Sequence, residues 1–402
     1  MQFICRTAFG AYGLWASILL VGLYSGSLGA TNAFAADPSL DNLVPQGGQR
    51  GTEVVVHFYG ARVGQEPQEV LLYDPGISVS EIKPVDGNHF EAKLTIAPDC
   101  RLGFHTVRVR TATGLTRVRN FMVGALQEIS EAEPNSEFPN PQPIELDVTI
   151  NGVVENEDID YYAVEAKAGQ RITAEIEALR LGRVFFDPHI AILNAERFEL
   201  ATSDDSALLS QDGVASIVAP ADGKYIISVR DSAFGGGGTS TYRLHVGRFP
   251  RPLAVLPTGG RPGETLDVTW LGDVAGNQVQ QIVVPTEPQS DPSIFYQDDQ
   301  GTSPSPNAIR VNDLENVLET EPNNAFDQAT AAKAPAAFNG IIGEPGDVDH
   351  FRFEAKKGQV FDITTFARQL RSPLDSVVIV RHVEGNYAQV RGHRGRVQGQ
   401  IS

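Results

Sequence analysis

The side chains in this sequence best suited to chemistry form two sets of oxygen ligands at matching positions. The first set is Glu131, Glu133, Asn135, Asp158 and Asp160, and the second is Glu319, Glu321, Asn323, Asp347 and Asp349. Calcium takes about six to eight oxygen ligands with tolerant geometry, and two short acidic segments can supply them together. We therefore predict a Ca²⁺ site in each set, where the ion neutralises repelling carboxylates and fixes a linker onto the domain that follows.

A different interpretation of the same residues needs no metal. The Glu-Pro-Asn sequence at residues 133–135 is typical of a turn, and Asp158 and Asp160 stand where aspartates cap a loop before a strand. The sequence alone leaves both interpretations open.

Patterns typical of catalysis are absent from the sequence. The eight histidines are scattered, with no His-Glu-x-x-His pair, no paired cysteines and no Gly-x-Ser-x-Gly turn. Cys100 stands in a predicted turn with no assignable partner histidine, and nothing marks a carboxylate pair for glycoside hydrolysis. We therefore predict a protein that is not an enzyme. Three histidines fall in strand patterns and are predicted to lie on sheet surfaces: His57, His105 and His245.

Both acidic sets lie within a longer pattern that occurs twice. After Glu-x-Glu-Pro-Asn come Gly152 or Gly340, then Asp-x-Asp before an aromatic segment, then Ala-Lys-x-Gly-Gln ending at Gln170 or Gln359. The spacing drifts by only one residue between the copies. We interpret them as two copies of one domain, the first B copy and the second B copy.

Another repeated pattern precedes each B copy. Val44-Pro45-Gln-Gly47-Gly48 runs in register with Leu256-Pro257-Thr-Gly259-Gly260, which defines a first and a second A copy. The predicted order is A-B-A-B. The predicted bounds are 41–124 for the first A copy, 125–247 for the first B copy, 252–314 for the second A copy and 315–402 for the second B copy.

Short alternating apolar patterns dominate every copy. Val54, Val56 and Phe58 would share one face of a strand, and Gly, Pro, Asn and Asp clusters separate such runs. A second alternating run places Ile172, Ala174, Ile176 and Ala178 on one face and Thr173, Glu175 and Glu177 on the other. The fold class predicted is all-β, with tandem β-sandwiches.

The first 35 residues read as a secretory signal peptide. Arg6 gives a weak positive region, an apolar stretch follows from Leu14 to Tyr24, and Ala33-Phe34-Ala35 has the small-x-small form of a cleavage site. An uncleaved anchor is the alternative, although the apolar run is short for a membrane span. The formal net charge of −18 argues against nucleic-acid binding. We predict an exported protein that is extracellular, periplasmic or on the cell surface.

The B copies resemble the bacterial pre-peptidase C-terminal domain. The resemblance rests on the Glu-x-Glu-Pro-Asn entry, the Asp-x-Asp-aromatic strand, the Ala-Lys-x-Gly-Gln turn and the strand starts at Asp187 and Asp375. The A copies resemble, more loosely, the Ig-like domains that precede such modules in secreted planctomycete-type proteins. The resemblance implies jelly-roll-like sandwiches alternating with Ig-like ones. It also implies non-catalytic modules, of which the collagen-binding domains of clostridial collagenases bind calcium and matrix polymers.

The end of the chain departs from the repeat. The match between the B copies fades after Val380, and residues 381–402 are basic, with Arg381, Arg391, Arg394 and Arg396. A truncated or frame-shifted reading frame would produce this, and a genuine basic tail is the alternative. A sandwich without its last strands exposes sheet edges and core, so we predict that the second B copy is poorly stable.

These observations favour an exported, non-catalytic, multidomain binding or structural protein. Its expected partner is an extracellular protein or polysaccharide, met by sandwich faces, loops and exposed aromatic residues. The candidate aromatic residues are Tyr161, Phe185 and Phe186, each of which also fits a core position. The alternative function is the accessory portion of a secreted peptidase, or a fragment of one.

Overall fold

The protein is all-β, as the alternating patterns predict. The computed structural model describes residues 37–287, 290–382, 389–393 and 396–400. Regular structure within these ranges consists of 34 strands and four 3₁₀ turns, the latter at Leu179–Leu181, Ala207–Leu209, Phe326–Gln328 and Arg368–Leu370. None of the helices described there has the length and hydrophobicity to cross a bilayer. The predicted signal peptide lies outside the described residues.

Eight strands form two four-stranded sheets in the first A copy. They are β1 (Asn42–Val44), β2 (Gly47–Gln49), β3 (Glu53–Tyr59), β4 (Pro67–Leu72), β5 (Ile77–Asp86), β6 (His89–Ile96), β7 (Gly103–Thr111) and β8 (Arg119–Gly124). The strand orders are β1-β3-β6-β5 and β2-β8-β7-β4. Phe58 and Phe90 of one sheet share a core with Val109 and Phe121 of the other, which makes this pair a sandwich.

Ten strands form two five-stranded sheets in the first B copy. They are β9 (Gln127–Ser130), β10 (Gln142–Pro143), β11 (Val148–Val153), β12 (Asp160–Ala166), β13 (Arg171–Glu177), β14 (Pro188–Asn194), β15 (Glu199–Ser203), β16 (Val214–Val218), β17 (Gly223–Asp231) and β18 (Thr241–Gly247). The orders are β10-β12-β17-β14-β15 and β16-β13-β18-β11-β9. One apolar core lies between them, joining Ile150 and Leu244 to Tyr162 and Ile227.

The second A copy repeats the pairing of the first with shorter strands. They are β19 (Ala254–Leu256), β20 (Gly259–Gly260), β21 (Thr265–Leu271), β22 (Gln278–Val283), β23 (Ser293–Ile294), β24 (Gln297–Asp298), β25 (Gly301–Thr302), β26 (Asn307–Ala308) and β27 (Arg310–Val311). β19 pairs antiparallel with β21 as β1 does with β3, and β20 pairs parallel with β27 as β2 does with β8. Trp270 and Tyr296 centre its small core.

The second B copy keeps the entry strands of the first. They are β28 (Asn316–Leu318), β29 (Thr330–Ala332), β30 (Ala337–Asn339), β31 (Phe351–Phe353), β32 (Val360–Thr364), β33 (Gln389–His393) and β34 (Arg396–Gln400). β28 pairs parallel with β30 and β29 with β31, as β9 does with β11 and β10 with β12. No apolar side chain described between residues 315 and 382 is buried. The four-domain division itself stays a prediction, since the described residues from 37 onwards form one compact unit.

The surface prediction is wrong for two of the three histidines, and the core interpretation is correct for two of the three candidate aromatic residues. His105 and His245 are 0% and 2% exposed rather than on open sheet surfaces. Of the three candidate aromatic residues, Tyr161 and Phe186 are buried and only Phe185 is exposed, with 83% of its surface accessible. Phe186 belongs to the main core of the first B copy and Tyr161 to a smaller cluster on the outer face of its sheet.

Candidate metal centre

Backbone pairing fixes the position of Glu131 in the first acidic set. Glu131 directly follows β9, and its N–H donates to the Asn151 carbonyl of β11 (3.0 Å), which extends the parallel ladder. Its Oε2 then accepts the N–H of Val153 at the end of β11 (2.9 Å). Because backbone and side chain are both tied to β11, the carboxylate faces the start of β12.

The Glu-Pro-Asn segment forms a turn that brings two more side chains to the same place. The Glu133–Pro134 peptide bond is cis. The Asn135 N–H donates to Glu133 Oε2 (2.8 Å), and its Nδ2 donates to Glu131 Oε1 (3.1 Å). The Asn135 carbonyl accepts the N–H of Tyr161 (3.1 Å), which joins the turn to β12. The backbone is bent at Glu133, and the side chains of Glu131, Glu133 and Asn135 converge.

Three carboxylates meet at this turn. One oxygen from each of Glu131, Glu133 and Asp160 lies within 4.8 Å of the others. Asp160 is fully buried at the start of β12, and its Oδ1 has no hydrogen-bond partner. The Oδ1 of buried Asn135 also has none. Buried polar oxygens are almost always paired, so three carboxylates and the Asn135 amide, with two of their oxygens lacking a partner, have the chemistry that suits a hard cation.

The electrostatics of the metal-free cluster favour a bound proton. Burial, and then the charge of Glu131, raises the pKa of Asp160 to about 9. A hydrogen bond from the Tyr242 hydroxyl to Asp160 Oδ2 (2.6 Å) opposes the rise without overcoming it. Carboxylates this close cannot all ionise without a counter-charge, so either a proton or a cation must complete the site.

Two buried tyrosines form the inner wall of the site, and the sequence did not reveal them as site residues. The Tyr162 hydroxyl donates to Glu131 Oε1 (2.8 Å), and its oxygen lies beside that of Tyr242, whose single hydrogen is donated to Asp160. Burial, followed by the neighbouring charges, raises the pKa of both phenols, so they remain neutral. The sequence signal that could have found them is a tyrosine at a core-facing position of β12 and of β18, because a buried hydroxyl requires a hydrogen-bond partner.

Asp158 lies outside the carboxylate group. Its Oδ1 accepts the N–H of Ile159 (2.9 Å), and its Oδ2 the N–H of Glu155 (3.4 Å). It therefore caps its own loop, as the metal-free interpretation predicts for this residue. Its negative charge still contributes to the raised pKa of Asp160.

The second acidic set has the same core geometry. Oxygens of Glu319, Glu321 and Asp349 lie within 4.8 Å of one another, and the Glu321–Pro322 bond is cis. The Asn323 N–H donates to Glu321 Oε2 (2.8 Å), its Nδ2 to Glu319 Oε2 (3.3 Å), and the Ile341 N–H to Glu319 Oε1 (2.7 Å). Three oxygens here are buried without a partner: Asn323 Oδ1, Asp347 Oδ1 and Asp349 Oδ1.

The second site is more open than the first. Phe351 occupies the position of Tyr162, so one hydroxyl is lost, and no described strand supplies a residue equivalent to Tyr242. Asp349 is half-buried, and burial followed by Glu319 raises its pKa only to about 6. Asp347 caps its loop through Gly343 (N–H to Oδ2, 2.7 Å) yet keeps one free oxygen.

The glycine shared by both patterns leaves room for the site. A Cβ on Gly340 would lie 2.5 Å from Glu319 Oε2 and 2.6 Å from Asp349 Oδ2. A Cβ on Gly152 would lie 2.5 Å from the Tyr242 hydroxyl oxygen. Such distances are too short for real contacts, so the bare backbone at this position is a steric requirement of the oxygen cluster.

Cys100 does have a histidine neighbour, but the geometry opposes catalysis. The Sγ of Cys100 lies 3.8 Å from His105 Nε2, and His105 Nδ1 lies 3.7 Å from Asp74 Oδ2. The Nε2 is 2.7 Å from the Arg101 carbonyl, so it must carry the proton and cannot accept one from the thiol. Burial raises the pKa of the Cys100 thiol, the opposite of what a nucleophile needs.

Comparison with known proteins gives weak likenesses. No protein-family model and no curated protein matches the chain. Among solved structures it is similar to the pre-peptidase C-terminal domain of collagenase from Bacillus anthracis, the family that the B copies resemble in sequence. Identity is 19% and the TM-score 0.23, over 29% of this chain and 99% of that domain.

Two further solved structures are also similar. One is SGBP-B from a Bacteroides ovatus mixed-linkage glucan utilization locus, solved with a heptasaccharide (8% identity, TM-score 0.20, 52% of this chain and 53% of that one). The other is the Escherichia coli adhesin FdeC (14% identity, TM-score 0.18, 66% and 68%). At these values none of the likenesses establishes a shared function.

Proposed function

We propose that this chain is an exported, non-catalytic binding or structural protein whose B copies are stabilised by calcium. The observation that carries the metal is the set of buried, unpartnered oxygens at both acidic clusters, which include Asn135 Oδ1 and Asp160 Oδ1. Oxygens without donors, next to carboxylates and enclosed by a glycine backbone, fit a hard divalent cation. The residues that would hold it are Glu131, Glu133, Asn135 and Asp160, and in the second copy Glu319, Glu321, Asn323, Asp347 and Asp349.

The role of the ion would be mechanical rather than catalytic. Glu131 and Glu133 belong to the segment that enters the first B copy, and Asp160 begins β12 in its sandwich. A cation between them replaces charge repulsion with attraction and strengthens the attachment of this segment to the sandwich. Successive A and B copies would then be stiffened at each entrance, which suits a protein that presents binding surfaces outside the cell.

The test of the metal site is calorimetric unfolding of the full chain in Ca²⁺ and in excess chelator. A ligand at 100 times its dissociation constant stabilises the folded state by about 2.7 kcal/mol, so we expect the transition of the first B copy to rise by several degrees. The Glu133→Ala/Asp160→Ala variant should lose this shift. The exposed Glu137 of the same segment provides the control, since Glu137→Ala should keep it. An equal shift in all three proteins would contradict the site.

The binding role is tested with the same protein. Immobilised polysaccharides and extracellular matrix proteins are screened with and without Ca²⁺, alongside a casein and gelatin hydrolysis assay. We expect saturable binding to one ligand class and no hydrolysis. Phe185 is the exposed member of the three predicted aromatic residues, so Phe185→Ala is the first variant to compare. Hydrolysis by the purified chain would overturn the non-catalytic proposal.

A further inference from the structure

A ligand cluster of different chemistry lies on the first A copy. His57 is on β3, and His89 and Glu91 are on the neighbouring antiparallel strand β6. Glu91 lies directly opposite His57 in the register, and His89 lies opposite Tyr59. The alternation of these strands sends Phe58 and Phe90 into the core and leaves the three polar side chains half-buried on the outer face.

The distances between these side chains suit a single ion. The Nδ1 of His57 lies 3.1 Å from the Nε2 of His89 and 3.6 Å from the Oε1 of Glu91. Ligand atoms of the three residues all lie within 4.8 Å of one another. Two nitrogens bound to a tetrahedral zinc ion at 2.0–2.1 Å are separated by about 3.4 Å. The cluster therefore needs only small side-chain movements to bind a metal.

We propose that His57, His89 and Glu91 form a binding site for a late first-row divalent cation such as Zn²⁺. Imidazole nitrogens favour zinc, copper and nickel, whereas calcium requires oxygen ligands, so this site would select a different metal from the acidic sets. The ring of Tyr59 stacks on His89 with centroids 4.3 Å apart and planes at 16°. This contact restrains the imidazole before the metal arrives.

The site is particular to the first A copy. In the aligned A repeat, Thr269 takes the position of His57 and Leu271 that of Tyr59. The facing strand β22 (Gln278–Val283) contains no histidine. The competing explanation is a plain hydrogen bond between the two imidazoles, with one nitrogen carrying the hydrogen and the other presenting its lone pair. Metal binding distinguishes the two.

The experiment is a calorimetric titration with Zn²⁺. The sample is the full chain without an affinity tag, saturated with Ca²⁺. We expect one zinc equivalent whose association constant falls at least about tenfold in His57→Gln and in His89→Gln, since even partners behind metal ligands contribute that much. His189→Gln is the matched control, because His189 is a part-buried strand histidine that is hydrogen-bonded to Thr202 (2.9 Å) and, among the described residues, belongs to no group of metal-ligating side chains. It should bind zinc like the wild type.

A second readout identifies the ligands. Cobalt in place of zinc should give visible absorption bands in the wild type that weaken in Glu91→Gln and vanish in the double variant His57→Gln/His89→Gln. The side chains lie outside the core, so we expect this variant to unfold in chelator at the same temperature as the wild type. That result would show that it folds. Absence of zinc binding by the wild type, or unchanged binding by the folded double variant, would overturn the proposal. Calcium saturation keeps this outcome independent of the acidic sites.

Discussion

At the scale of single residues, the protonation of Asp160 provides a test for the metal site, because a bound proton and a bound cation make stability depend on pH in different ways. The folded, metal-free protein holds a proton on Asp160 up to a pH of about 9, whereas the unfolded chain releases it near the ordinary pKa of 3.8. The folded state therefore binds more protons across this window, and its free energy of unfolding falls as the pH rises, by about 1.4 kcal/mol per pH unit. Calcium would displace that proton and remove the dependence.

Asp160→Asn tests this directly because the amide resembles the protonated carboxyl in shape. In chelator, we expect the wild type to lose stability relative to Asp160→Asn between pH 6 and 9, measured by urea unfolding. In Ca²⁺ the wild type should instead have the larger free energy of unfolding, because the variant lacks the carboxylate charge that binds the ion. Parallel pH profiles of the two proteins in chelator would contradict the raised pKa.

At the scale of elements, β13 shows what alternation predicts and what it misses. Ile172, Ala174 and Ile176 face the core as the pattern indicates. Glu175 and Glu177, predicted on the other face, are 0% and 1% exposed rather than solvated. A period of two identifies the two faces of a strand, but it cannot say that segments distant in sequence cover the second face.

The covering segments come from both A copies. On one side, Gln46 of the first A copy donates to the Leu181 carbonyl (2.9 Å), and Gly47 packs against the Arg243 guanidinium. On the other side, Arg171 pairs with Asp273 of the second A copy (3.0 Å). The buried carboxylates are thus neutralised by arginines: Glu177 by Arg243, and Glu175 by Arg180 and Arg251.

Loss of one of these carboxylates should be costly. Burial opposes ionisation of Glu177, yet the Arg243 and His245 charges hold its pKa below the usual range, so the pair is ionised. Glu177→Ala would leave buried Arg243 with Glu128 as its remaining ion-pair partner, and we expect a loss of about 3 kcal/mol in the free energy of unfolding. The control is Glu165, an exposed residue of β12. Glu165→Ala should change the free energy of unfolding by under about 0.5 kcal/mol. Equal effects in urea unfolding would show that Glu177 is not a structural partner.

The candidate site was only partly predictable for a similar reason. The Glu-Pro-Asn and Asp-x-Asp spacing identified four of the side chains that meet, Glu131, Glu133, Asn135 and Asp160, because three of them share one five-residue segment and both motifs consist of oxygen ligands. Tyr242 could not be assigned, since it reaches Asp160 from β18, whose pairing with β11 is set by the whole sandwich. The loop role of Asp158 depends on local backbone geometry that spacing does not define.

At the scale of the whole molecule, the two B copies should differ sharply in stability. In the first, β11 pairs with β18 and β12 with β17, and Ile150 is fully buried. In the second, β30 and β31 each have a single partner among the described strands. Phe338, at the position of Ile150, is 36% exposed. Unpaired edges and an uncovered apolar face both lower the free energy of local opening.

Hydrogen exchange of the full chain measures this difference within one sample. We expect amides of β30 and β31 to exchange far faster than those of β11 and β12, because each of the former lacks a second paired strand and a buried apolar core. Calcium should slow exchange at residues 319–323 as well as at 131–135, since both turns carry the same carboxylate cluster. Equal protection of the two copies without calcium would mean that another part of the chain completes the second sandwich, and would contradict its predicted instability.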